Sequence, residues 1–323
     1  MITMSEIARL TNVSQPTVSR VLNGNPSVNP EVRERVLACA REHHYQPNAL
    51  AKSLQGQPTH LLGVLLTDIS NGFFAELAKE IEMSAKQAGY SILLWNSNYE
   101  PERERECFDV LRRYRVDGVI AVPCRADDEF WTRGTDALDF PLVIATLRVP
   151  GRDCVYVDHA MAGSQAARCL ISRGYDAFAF AGTPGEDKQR GFLAELSRNG
   201  IAPERCFTAD VSRDGWADVL AGRTASREER TGIFTSNDLQ ALELLNRLHA
   251  HGVTVPQRAG VLGFDDIPVS RYLTPSLSSM RQPLREMAAH AVGQLVCRIE
   301  TPDRAVPLDL PLYASVIARE STG

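Results

Sequence analysis

Gln15, Pro16, Thr17, Ser19 and Arg20 form a short run whose side chains suit the reading of duplex DNA. Glutamine matches the N6/N7 edge of adenine, an arginine guanidinium matches the O6/N7 edge of guanine, and hydroxyls suit phosphate oxygens. Pro16 has no N–H and offers only shape and apolar contact. A second set of polar residues lies far along the chain, at Asp68 to Phe74, Pro123 to Arg125, Thr146 to Arg148, Gly182 to Lys188, Asn237-Asp238 and Asp265-Asp266. Each cluster follows a segment that reads as a strand, and open α/β sheets bind ligands at the carboxyl ends of their strands. Any one of these residues could instead cap the helix that follows, as Asn237 or Asp238 could for a helix starting at Leu239. Six such clusters together favour a cleft. Enzyme chemistry is not indicated. The stretch from Gly182 to Lys188 misses the phosphate-loop spacing, no nucleophile elbow or dinucleotide fingerprint occurs, and His43-His44 lack metalloprotease spacing. No metal or cofactor is implied.

The elements that must position the first group are short helices. Met4 to Leu10 places Ile7 and Leu10 on one face, with the small Ala8 where another helix can cross closely. Thr11-Asn12 breaks the pattern, since asparagine tolerates the left-handed conformation of a tight turn. Val13 plugs the turn, Ser14 suits an N-cap, and Pro16 fits the first helical turn, where its missing N–H costs nothing. Val18, Val21 and Leu22 then face inward, and a third helix, Pro30 to His43, brings Val32, Val36 and Leu37 against them. The spacing is that of a helix-turn-helix. After Pro47, the stretch to Leu54 reads as one short helix with Ala51 and Leu54 on a single stripe, too little apolar surface to fold alone. It is either a linker helix packed on the next domain or a hinge that orders only on DNA, with Leu54 as a minor-groove wedge.

From His60 the periodicity changes. Leu61 to Leu66, Tyr90 to Leu94, Gly118 to Val122 and Leu142 to Ala145 read as buried parallel strands, with helices over Phe73 to Ala88 and Glu104 to Tyr114. The alternation repeats in Ala177–Ala181, Gln189–Asn199, Gly232–Thr235, Leu239–His251 and Ala259–Gly263. The fold class is α/β with doubly wound parallel sheets in two similar halves, preceded by an all-α headpiece.

Composition agrees. Of a net charge of −5 over 323 residues, residues 1–60 carry +2 and the rest −7. A mildly basic head on an acidic body fits a DNA-contacting module joined to something that avoids DNA. Seven cysteines without a C-x-x-C pair fit free thiols in a reducing cytoplasm. With no signal peptide and no membrane span, the expectation is a cytoplasmic protein.

The chain resembles LacI/GalR-family transcriptional regulators in VSQPTVSRVLN (13–23), YQPNALAKSL (45–54), GVLLTDISNGFFAEL (63–77), RVDGVIAV (115–122), Asn237-Asp238, VLGFDDIP (261–268) with LSSMRQ (277–282), and Arg319 to Thr322. That resemblance covers essentially the whole chain. It implies a helix-turn-helix at 1–45, a hinge and linker at 46–60, and a two-lobed periplasmic-binding-protein-like domain at 61–323. One lobe would hold about 61–157 and 283–306 and the other about 158–282 and 307–323, with crossings near Asp158, Gln282 and Pro307. It further implies a homodimer on a near-palindromic operator, controlled by a small molecule, by family default a sugar or sugar derivative. Gln15, Pro16, Arg20, Ala51 and Leu54 would meet bases, and Ser14, Thr17, Ser19, Asn23, Asn29, Tyr45 and Asn48 would hold phosphates. Phe73, Phe74, Thr146, Lys188, Arg190, Asn237 and Asp265 would face the effector.

Two departures stand out. Lys188 occupies the place of an arginine four residues before the aromatic of Gly191-Phe192, and Thr146 replaces a common aspartate. Lysine cannot make arginine's planar bidentate contact. No heptad tail follows Arg319 to Gly323, which favours a dimer over a helix-tethered tetramer. The alternatives are a solute-binding protein of a transport system, or a constitutive DNA binder with a non-functional cleft.

Overall fold

The computed structural model describes residues 2–22, 24–45, 58–302 and 306–323. They form two compact units, Met1–Thr59 and His60–Gly323. The expected hinge falls outside the described residues, and with it Asn48, Ala51 and Leu54; Asn23 does too.

In the first unit, α1 (Met4–Thr11), α2 (Gln15–Leu22) and α3 (Pro30–Glu42) are each too short to persist alone and are held by a shared core. Ile7, Val18 and Val36 are fully buried, with Ala8, Val21 and Ala40 around them. Thr3 and Glu6 cap α1 reciprocally: the Thr3 hydroxyl accepts from Glu6 N–H at 3.2 Å, and the Glu6 carboxylate accepts from Thr3 N–H at 2.8 Å. The helix stops at Asn12, whose φ of 51° makes the left-handed turn. Ser14 then caps α2, its hydroxyl accepting from Thr17 N–H at 3.3 Å. Leu10 does not share the buried face of Ile7 as expected; it is 53% exposed. Thr11, four residues on from Ile7 and closer to the same stripe, fills that place and donates its hydroxyl to Ile7 O at 2.6 Å.

The second unit contains two six-stranded sheets. The chain runs β1 (Leu61–Leu66), α4 (Gly72–Gln87), β2 (Ser91–Asn96), α5 (Pro101–Arg113), β3 (Gly118–Ala121), the single turn α6 (Glu129–Thr132), β4 (Leu142–Thr146) and β5 (Asp153–Val157). It continues through α7 (His159–Ser172), β6 (Ala177–Gly182), α8 (Asp187–Arg198), β7 (Cys206–Asp210), α9 (Trp216–Ala225), β8 (Thr231–Thr235), α10 (Asp238–Ala250), β9 (Ala259–Asp265) and β10 (Ser278–Arg281). It closes with α11 (Leu284–Glu300), β11 (Asp309–Leu312) and β12 (Ser315–Ile317). The sheet orders are β11-β5-β4-β3-β1-β2 and β12-β10-β9-β8-β6-β7, parallel throughout except where β12 meets β10. Helices cover both faces, and strands such as β6 are buried at every position.

The chain passes from the first sheet to the second lobe after β5 at Asp158, and returns between β10 and α11 at Gln282. Its third crossing is not near Pro307. Residues 309–312 first pair with β5 along Asp309↔Cys154 to Leu312↔Val157, so the chain crosses only between Leu312 and Ser315. Two clamps hold that edge strand: Arg148 donates to both carboxylate oxygens of Asp309, and Leu308 N–H donates to Asp153 at 2.6 Å. Pro311 hides the strand in the sequence, but an edge position tolerates a missing N–H. Among the described residues, no helix is long and apolar enough to cross a membrane. All seven cysteines are free thiols.

Candidate functional site

Two separate surfaces carry the residues of interest. On the first unit, Gln15, Pro16 and Arg20 of α2 are exposed, and Thr17 and Ser19 are half-buried. Val18 and Val21 point into the core and so fix which way this face looks. Among the described residues nothing pairs with the Arg20 guanidinium, so it is free to meet an acceptor. Ser14 is bonded to Thr17, hydroxyl to hydroxyl at 2.8 Å, and Asn29 caps α3 by accepting from Glu31 N–H at 2.8 Å. Tyr45 follows α3 and packs half-buried against the headpiece core. Ser14 and Asn29 are therefore exposed but already employed as caps.

In the second unit a cavity of about 190 Å³ lies between the lobes, with walls from both. All six strand-end clusters reach it, through Phe73 and Phe74, Cys124, Thr146, Lys188, Asn237 and Asp265 among others. Each arrives by local geometry. Asn71 caps α4, accepting from Phe73 N–H at 3.0 Å, which sets the two phenyl rings edge to face 4.9 Å apart. Thr146 (φ 70°) and Asp265 (φ 113°) end their strands in conformations that L-residues rarely adopt, a strain on the order of 1–3 kcal/mol each that marks such sites. Asn237 is the N-cap of α10; its Oδ1 accepts from Gln240 N–H at 2.9 Å. The capping role read from the sequence is thus real for that oxygen, while among the described residues its amide nitrogen has no hydrogen-bond partner.

Lys188 is set by an unusually close helix crossing. A Cβ on Gly163 of α7 would lie 2.1 Å from Lys188 O, and one on Gly191 of α8 would lie 1.9 Å from Ala160 O. The two glycines let the backbones touch. Gly191→Ala is expected to force the helices apart and lower stability by about 1–2 kcal/mol. Urea denaturation reads this directly, and an unchanged midpoint would show the crossing to be slack.

Arg190 is not part of the cavity. It is exposed and donates to Gly185 O at 2.7 Å while pairing with Asp187. Two residues along a helix turn a side chain by about 200°, so Lys188 and Arg190 cannot share a face. Nor do Asp68, Arg125, Arg148 or Asp266 line it: the first accepts from Ser70, the two arginines pair with Asp127 and Asp309, and Asp266 pairs with Arg281 and Arg319. Tyr99, His159, Ser236 and Gln282 do line it, although the resemblance marked only the crossings near Asp158 and Gln282 and put none of the four among the effector residues. Their common signal is position: Tyr99 and Ser236 follow strands, His159 follows the first crossing, and Gln282 sits at the second. The short β5, beginning with a buried aspartate, conceals the strand that would have flagged His159.

Electrostatics separate the ionisable groups. Gln282 donates to Asp265 Oδ1 at 2.7 Å, yet burial pushes the Asp265 carboxyl up to about 8. Burial, helped by the nearby Lys188 ammonium, holds the His159 imidazole down at about 3. Asp238, fully buried behind the cavity, accepts from Ser279 Oγ at 2.6 Å, Ser270 Oγ at 2.7 Å and Ile267 N–H at 2.8 Å, and burial still raises it to about 6.

A pH dependence follows. Between about pH 4 and 8 the folded protein keeps a proton on Asp265 that the unfolded chain has released, so stability falls as pH rises through that window. His159 acts oppositely, costing stability as pH falls from about 6.5 towards 3. Below about pH 6.5 those two slopes offset, leaving a decline from Asp238, raised to about 6; from 6.5 to 8 Asp265 acts with neither of them, contributing a loss of ~2 kcal/mol. Asp265→Asn is expected to abolish that decline in urea titrations at pH 6.5 and 8.0. The same decline in the variant would assign it to another group.

A helix-turn-helix unit and a two-lobed α/β unit with an interlobe cavity, in one chain, define the class of DNA-binding transcriptional regulators. The comparisons agree. Residues 3–48 match the bacterial regulatory proteins of the lacI family, and residues 167–322 match the periplasmic binding protein-like domain. The HTH-type transcriptional regulator GalS of Salmonella typhimurium is 32% identical over 301 residues, covering 89% of this chain and 87% of the relative. The ribose operon repressor of Halalkalibacterium halodurans is 31% identical over 331 residues, covering 100% of this chain and 97% of the relative. The lac repressor dimer bound to operator and the anti-inducer ONPF shares the fold, with a TM-score of 0.85 at 22% identity over 99% of both chains. The chain belongs to the LacI family of transcriptional regulators, and these relatives are regulators rather than enzymes.

Proposed function

We propose that this protein is a cytoplasmic repressor that binds a near-palindromic DNA operator as a homodimer and is controlled by a small sugar-like effector in the interlobe cavity. The observation that carries the reading is the pairing, in one chain, of an exposed α2 face with an unpartnered Arg20 and a polar cavity walled by both lobes. Arg20 reads a guanine, Gln15 an adenine, and Pro16 gives apolar contact. Ser14, Thr17, Ser19, Asn23, Asn29, Tyr45 and Asn48 hold phosphates, and Ala51 with Leu54 enters the minor groove. Phe73 and Phe74 form the apolar wall, and Asn237 and Asp265 meet hydroxyls. The relatives' names support the reading: one is a ribose operon repressor, and a lac repressor of the same fold was solved as a dimer on its operator.

Control is a matter of linkage. The effector changes how the lobes meet, and it shifts DNA affinity only by its differential affinity for the two states, typically ~1–3 kcal/mol. Fluorescence-anisotropy titration against a pool of near-palindromes, with and without sugars, tests the whole. Selective binding that one sugar shifts is the expected result, and no selective binding overturns the reading.

A further inference from the structure

Lys188 brings an ammonium group into a cavity where, among the described residues, no carboxylate lies within ion-pair distance of it. Its Nζ donates to the neutral carbonyl of Ser236 at 2.6 Å and lies 4.3 Å from the centre of the Phe264 ring. Among the described residues no carboxylate pairs with it. An ammonium taken out of water and left without an anion is costly, and proteins rarely keep one unless something else supplies the negative charge. The one carboxyl in the lining, Asp265, feels the Lys188 charge without bonding to it, and burial outweighs that pull and lifts it to about 8. His159 lies beside the ammonium and is neutral.

A second observation concerns hydrogen-bond demand. Gln282 is 5% exposed and lines the cavity; its nitrogen donates to Asp265, but its Oε1 is buried without a donor. Among the described residues, the site therefore lacks an anion bonded to Lys188 and a donor for Gln282 Oε1. Phe73, Phe74 and Phe264 add apolar wall beside these polar groups. The volume of about 190 Å³ corresponds to roughly six water molecules, so the occupant is small.

We propose that the effector is a small polyhydroxylated carboxylic acid, of the aldonic or uronic acid class, whose carboxylate pairs with Lys188 and one of whose hydroxyls donates to Gln282. The inference rests on the reading of the cavity as the effector site and narrows it from sugars in general to their acids. A compact ammonium serves here where an arginine fork would not be needed, because one charged contact suffices for a monoanion that hydroxyl contacts already orient.

The test is calorimetry on the full-length protein with matched pairs: D-glucose against D-gluconate and D-glucuronate, D-ribose against D-ribonate, glycerol against D-glycerate. At least one acid is expected to bind at least tenfold more tightly than its neutral partner. Lys188→Met should abolish that preference, and Lys188→Arg should keep a measurable part of it. Thermal melting of the unliganded variants checks their folding, and Met at this site is expected to leave the melt unchanged or raised. Neutral sugars binding as well as their acids, acid binding unaltered in Lys188→Met, or silence across all the acids would each overturn the assignment. Anisotropy with operator DNA separates the two claims: a neutral sugar that shifts DNA affinity keeps the regulator reading and sinks the acid.

Discussion

Asp238→Ala is expected to destabilise the two-lobed unit by about 3–5 kcal/mol, lowering its melting temperature by on the order of 10 °C. The carboxylate is fully buried and is the common acceptor for the Ser279 and Ser270 hydroxyls and the Ile267 amide. Removing it leaves three buried donors at once, each unsatisfied donor costing about 1–3 kcal/mol before any relaxation. Those donors sit on β10, on the turn after β9 and in the 3-10 segment that follows, so one side chain ties together the loop that carries Asp265. The fit is tight as well: a Cβ on Gly263 would come within 2.1 Å of Asp238 Oδ1. Asp238→Asn should lose less, because one amide oxygen still accepts and a serine hydroxyl can turn to meet the new nitrogen. Differential scanning calorimetry of the three proteins decides it; equal melting temperatures would mean that the network is dispensable.

Arg20→Ala is expected to weaken binding to the preferred operator by roughly 10–100-fold at fixed salt, with little effect on random DNA. The guanidinium stands on the exposed side of α2, with Val18 and Val21 anchoring the opposite side and, among the described residues, no acceptor competing for it. A bidentate contact to guanine would be lost as selectivity. A phosphate contact would instead be lost uniformly across sequences, with the salt dependence shallower by about one ion. Titrations against the operator and a scrambled duplex at two salt concentrations distinguish these outcomes, and a uniform loss would rule out base reading by Arg20. Arg20→Lys should resemble Ala in selectivity, since lysine keeps the charge but not the fork.

What the sequence disclosed and what it concealed have physical causes. Runs such as Leu61–Leu66 and Ala177–Gly182 announce themselves because a strand buried on both faces must be apolar throughout. The turn at Asn12 and the cap at Ser14 were legible because few residues serve those purposes. By contrast, α7 is built of alanine, glycine and serine around a close crossing, so its inner face lacks the large apolar periodicity that marks a helix. The edge strand β11 carries an aspartate and a proline, and only its long-range pairing with β5 identifies it. The cavity followed the same division. Strand-end clusters pointed to it, but which member of a cluster faces inward depends on helical phase, and that phase excluded Arg190 while admitting Lys188. His159 and Gln282 belong to crossings, which the resemblance located but no local periodicity marks as cavity wall.

Those two residues give the crossings a mechanical meaning. His159 immediately follows the Asp158 connection and Gln282 is the second connection itself, yet both line the cavity. The effector proposed above would press on the pivot rather than on the rim of a jaw. Displacement at a pivot is magnified with distance along each arm, so the proposed effector, small enough for this cavity, would swing the remote ends of both lobes without touching them.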